Sequence, residues 1–192
     1  MRKGHLTLVT AISLLAIVIV TCTASNQITN TAALAQTIAA DAATTTFDMN
    51  GAISSLVLGM PPNTKTVDMT TVQKFILSGD WSMDVNQGKL TKFNANFYTG
   101  PVNGGTSNHT HQLSNFRIST SNNSPIQLTP DKSVSISGIV DVGTNGKKAW
   151  NDVNATVVIS KGRTIAISLA DEDTQSHFMG QQIYGVVKKI NI

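Results

Sequence analysis

The chain has 192 residues, 41% hydrophobic and only 13% charged, with 24 Thr, 17 Ser and 16 Asn filling the polar share. That length allows one domain with a proper core once a leader is set aside, and the composition excludes an ordinary helical bundle, which needs Glu, Lys, Ala and Leu at 3.6-residue spacing. The formal charge of +3 belongs mostly to Arg2 and Lys3: without them 12 basic side chains face 11 acidic ones, and no Lys/Arg run is left to neutralise a row of phosphates, so no nucleic-acid partner is expected.

Leu6 to Val20 (LTLVTAISLLAIVIV) carries no charge and follows Arg2, Lys3 and His5. A charged segment followed by an apolar one of this length is the pattern of a secretory signal. Small-residue cleavage patterns follow at Cys22-Thr23-Ala24 and Ala33-Leu34-Ala35. An uncleaved anchor helix is the alternative, since Leu6 to Ala24 nearly spans a bilayer. Residues 1–24 therefore read as signal peptide or membrane anchor, and the domain beyond as extracytoplasmic, touching the membrane only through this segment. Cys22 is the only cysteine, so the domain folds without an internal disulfide. Asn108-His109-Thr110, Asn122-Asn123-Ser124 and Asn154-Ala155-Thr156 are glycosylation-type triplets, which arise by chance in a chain this rich in Asn and Thr. Residues 25–43 are small and polar and read as a linker, with a short helix over Thr31 to Ala40 as the alternative.

From residue 44 to 192 alternation dominates, as in a single β-domain. Thr45 to Leu58 reads as a first strand with a bulge at Gly51, and Pro61-Pro62-Asn63 as a loop. Phe75, Leu77, Trp81, Met83 and Val85 point one way while Ser78, Asp80, Ser82 and Asp84 point the other, the signature of a half-buried strand. Asn86-Gln87-Gly88 turns the chain into a second strand over Lys89 to Thr99, with Phe93, Ala95 and Phe97 on one face. His109 to Ile118, Val134 to Val142, Val153 to Ile159 and Ile165 to Leu169 repeat the pattern, and His177 to Ile190 completes about eight strands. Short turns predict antiparallel pairing, and the fold class is all-β, a β-sandwich or a small β-barrel. Alternation does not separate the two, because both send every second residue inward.

Asn108-His109-Thr110-His111 is the most suggestive stretch. Residues i and i+2 of a strand share a face about 7 Å apart, which lets two imidazoles converge on a metal about 2 Å from each nitrogen. The third ligand is His177, provided the strands carrying them are neighbours. Three nitrogens with an open position suit Cu or Zn. The bland alternative is a wet strand end after the loop Val102 to Ser107. The Asp171-Glu172-Asp173 cluster reads as a solvated turn.

Catalysis has less support. No serine sits in a Gly-x-Ser-x-Gly elbow, and Gly104-Gly105 is not a phosphate loop before a helix. Asp80 and Asp84 would lie about 13 Å apart on a strand, too far for a carboxylate pair. With few aromatics in the chain, Trp81, Trp150, Phe93 and Phe97 are expected in the core rather than on a ligand surface.

Leu77-Ser78-Gly79-Asp80-Trp81-Ser82-Met83-Asp84 and His109-Thr110-His111 to Phe116 resemble small exported proteins of ammonia-oxidising archaea that have no assigned function. The resemblance spans residues 44 to 190 and implies a domain outside the cytoplasm in a copper-dependent physiology. The His-x-His also resembles that of cupins, but Gln112 to Phe116 lacks their Glu ligand. Ile183-Tyr184-Gly185-Val186-Val187 is similar to the last strand of copper–zinc superoxide dismutase, whose further histidines and disulfide this domain lacks. The expected function is an exported β-domain binding a small ligand or Cu or Zn through His109, His111 and His177. A structural or adhesive cell-surface module without metal is the alternative, and an enzyme is less expected than either.

Overall fold

The computed structural model describes residues 43–59, 68, 70, 72–119 and 124–192. The signal or anchor segment, Cys22, the linker through residue 42 and Pro61-Pro62-Asn63 lie outside the described residues. Eight strands follow in order: β1 (Phe47–Gly59), β2 (Gln73–Asn86), β3 (Lys89–Pro101), β4 (His109–Ile118), β5 (Val134–Thr144), β6 (Lys147–Ser160), β7 (Thr164–Leu169) and β8 (Ile183–Asn191).

Each strand pairs antiparallel with the next, and β8 returns to pair with β1, closing an up-and-down barrel. Of sandwich and barrel, the chain therefore adopts the barrel. Closure leaves no unpaired edge to template another chain. Among the described residues no helix is present.

The expected alternation places the core. Met49, Ile53, Leu77, Trp81, Met83, Ala95, Leu113, Val140, Val153 and Ile167 point inward and are at most 2% exposed. Ser78, Asp80, Lys92 and Asn96 face outward, with Lys188 Nζ reaching Asp80 at 3.5 Å. The inside is apolar and the outer face largely polar, the reverse of a barrel built to cross a bilayer.

Tight turns set the registers. Gln87 and Gly88 both have positive φ, at 49° and 75°, and join Asn86 to its partner Lys89 across a two-residue turn. Both central residues of such a turn need the left-handed region, which is why glycine is favoured there. Asn145 and Gly146 repeat the device between β5 and β6, carrying those strands beyond the apolar stretches that mark them in sequence. The bulge expected at Gly51 is present as a register shift against β8 between Asn50 and Gly51. Here the Trp81 indole donates from Nε1 to the Val186 carbonyl at 3.2 Å.

A polar pin lies on β4, β5 and β6. Asp141, 8% exposed, accepts from Asn115 at 3.0 Å and pairs with Arg117 and Lys148 at 3.2 and 3.0 Å, while Arg117 also pairs with Asp152. Asn115 and Asp152 have positive φ, and the β4–β5 and β5–β6 ladders shift register beside them. The hydrogen bond from Asn115 and the two cations hold the Asp141 carboxyl well below the usual carboxylate range, against burial, which acts the other way.

The last strand departs from expectation. His177 is not on it: the chain runs through a turn segment from Asp171 to Gly180, and β8 begins only at Ile183. Gly180, at φ of +62°, breaks the run three residues after His177, a turn signal that alternation by itself does not register.

Candidate metal centre

In a meander of eight strands the connections β1–β2, β3–β4, β5–β6 and β7–β8 all fall at one end of the barrel. His109 opens β4 at that rim, where it pairs with Thr99 of β3. His111 follows one inward position deeper, 3% exposed. β8 does not pair with β4, so the expected strand adjacency is absent. His177 arrives instead on the β7–β8 segment, which folds over the mouth. The three residues named from the sequence meet, by a different route.

Their donor nitrogens lie within 4.8 Å of one another. Nε2 of His111 and Nε2 of His177 are 3.3 Å apart. Two nitrogens bound tetrahedrally at 2.0–2.1 Å are separated by about 3.3–3.4 Å, so this pair already stands at coordination spacing. The rings of His109 and His111 are 4.6 Å apart and those of His109 and His177 5.5 Å apart.

The far sides of the His109 and His111 rings are engaged. Nδ1 of His109 lies 2.8 Å from the Ser107 carbonyl, so that nitrogen is the donor and Nε2 is the one facing the other rings. Nε2 of His109 is buried without a hydrogen-bond partner. Nδ1 of His111 is 3.2 Å from Thr144 Oγ1, and the ring also bonds the Gly143 backbone. Outer contacts of this kind fix the tautomer and ring orientation of metal-ligating histidines.

The segment carrying His177 is firmly held. Thr174, fully buried, donates to the carbonyls of Ala170 and Asp171. Ser176 donates to Asp171, and Asp173 accepts from the backbone and side chain of Asn154. The acidic cluster is thus a turn that anchors the loop, and the Asn154 amide of one triplet is engaged in it. Gln181 bonds both the N–H and the carbonyl of Leu58, tying the segment to β1. Gln175, Ser176 and Met179 sit at positive φ, a conformation costing about 1 kcal/mol or more per residue that persists only where the surroundings impose it.

Aromatic rings surround the cluster. Phe97 and Phe178 stand 5.2 and 4.9 Å from His111, and Trp150 lies 5.1 Å from His177. Trp81 and Phe93 are core residues as expected; Phe97 and Trp150 serve the core and the cluster together. A cavity of about 240 Å³ opens beside the histidines, walled by Val57, Phe75, Leu77, Phe178 and Met179, with Thr99 among its lining. Sequence reading passed over Thr99, although its rung of the ladder is shared with His109.

Burial first, and then the nearby His109 and His177, hold the His111 imidazole down to about 3; burial and then His109 also lower His177. Both rings are neutral near pH 7. In the unfolded chain an imidazole takes a proton below about 6.5, whereas folded His111 refuses it. The metal-free protein should therefore lose stability as pH falls from about 6.5 towards 3, and keep it above that window. Urea midpoints across that range check this; a His111→Gln variant should show a flatter slope, and an unchanged slope would refute the assignment.

Comparison with protein-family profiles, characterised proteins and solved structures finds no match to this chain.

Proposed function

We propose that the protein is an exported β-barrel domain that binds Zn or Cu through His109, His111 and His177 at the mouth of the barrel. The observation carrying this reading is the convergence of three imidazoles, two of them with their far nitrogens engaged, and two facing nitrogens 3.3 Å apart. Without a metal, this contact is a hydrogen bond only when one of those two nitrogens carries a proton directed at the other. With a metal, both present lone pairs and the unpartnered Nε2 of His109 gains a partner. Neutral imidazoles suit Zn and Cu, and three of them leave a position open. Export rests on the charged start and the apolar run Leu6 to Val20.

Metal titration of the protein beside a variant carrying His109→Ala and His111→Ala tests this. One equivalent should bind to the parent and none to the variant. Equal uptake by the two eliminates the site. A second reading, an adhesive surface module, draws on Leu56 and Ile76, an outward cross-strand pair 58% and 49% exposed, with Tyr98 diagonal to Ile76. In that case the double variant keeps the protein's surface attachment.

A further inference from the structure

The cavity beside the histidines has a chemistry of its own. Its described lining contains apolar side chains, three imidazoles, Thr99, Ser176 and Gln181, and no carboxylate. A dication held there by three neutral nitrogens would stand against an apolar wall with its charge uncompensated, which is costly unless an anion joins it. The open coordination position therefore calls for an anionic ligand from outside the chain.

Thr99 adds a second, independent indication. Its residue is 6% exposed, it lines the cavity, and its Oγ1 is buried with no hydrogen-bond partner. A buried hydroxyl left unpaired costs free energy that a ligand oxygen would recover. It stands on the ladder rung of His109, at the junction between the imidazoles and the apolar wall formed by Phe75 and Leu77. A volume of about 240 Å³ accommodates roughly twelve non-hydrogen atoms at interior packing density.

We infer that the site takes a small monocarboxylate with an apolar body: one carboxylate oxygen fills the open metal position, the other accepts from the Thr99 hydroxyl, and the body lies against Phe75, Leu77 and Phe178. This rests on the metal reading proposed above. The binding is non-covalent, and the displaced group is the water or hydroxide otherwise occupying the fourth position. Specificity follows from the two halves of the cavity. Acetate offers the head without the body, and benzyl alcohol the body without the charge.

The test uses the full chain loaded with Co(II), whose visible spectrum reports ligand exchange at the metal. Benzoate should change that spectrum saturably and bind at least tenfold tighter than acetate or benzyl alcohol. Thr99→Val should take up Co(II) like the parent yet weaken benzoate about tenfold, the loss expected for one hydrogen bond to a charged group. Thr99→Ser should restore most of it, which separates a lost hydroxyl from a disturbed fold. No Co(II) uptake by the parent overturns the metal reading and the inference with it. Normal uptake with benzoate no tighter than acetate, or with Thr99→Val binding benzoate like the parent, overturns the inference alone.

Discussion

Zn2+ at a thousandfold excess over its dissociation constant should raise the melting temperature by about 10 °C, and the increment should vanish in His111→Ala. A ligand that binds only the folded state stabilises it by about 4 kcal/mol at that excess, and each kcal/mol is worth about 2–4 °C in a domain of this size. The metal would join β4 to the β7–β8 segment, two parts of the chain whose closest imidazole contact is His111 with His177. The measurement is the increment, since His111 is also packed between Phe97 and Phe178 and its loss lowers the baseline. An equal increment in the parent and in His111→Ala would show that any stabilising metal binds elsewhere.

Gly51→Ala should destabilise the barrel by about 3 kcal/mol, at the upper end of ordinary overpacking. A Cβ at Gly51 would stand 1.9 Å from the Val186 carbonyl oxygen and 2.6 Å from Trp81 Nε1. The first neighbour is backbone of β8, and the second is a buried indole already bonded to that same carbonyl. Relief requires opening the β1–β8 ladder, where the barrel closes. Gly146→Ala is the control: nothing lies within 4 Å, and only its φ of +72° opposes a side chain, a penalty of about 1 kcal/mol. Denaturant midpoints should rank the two in that order. A Gly51→Ala loss no greater than that of Gly146→Ala would mean that the seam is looser than this geometry.

The two expectations draw on different depths of the chain's information. The bulge at Gly51 is legible locally, because a glycine within an alternating apolar stretch marks a strand where backbone comes close. The turn at Gln87-Gly88, the strand over His109 to Ile118 and the inward set Leu77, Trp81 and Met83 are legible for the same reason. Each follows from a two-residue period or from a residue that tolerates positive φ. His109 and His111 share a face by that period alone.

His177 is different. Gly180, three residues further on with φ of +62°, marks the end of the turn segment that alternation alone passes over, and the meeting of His177 with the other two was expected from pairing between strands that never touch. By itself the sequence determined an all-β chain, the turn at Gln87-Gly88 and the loop after Pro101, which residues face inward, and three imidazoles of a type that ligates metals. Only the tertiary structure decided that the sheet closes on itself, that the β7–β8 segment lies at the same rim as the start of β4, and that an apolar cavity with an unpaired hydroxyl lies beside them. Alternation records which side of a sheet a residue faces, a local property shared by sandwiches and barrels. Which loops share an end depends on how many antiparallel strands intervene and on closure, a property of the whole ladder.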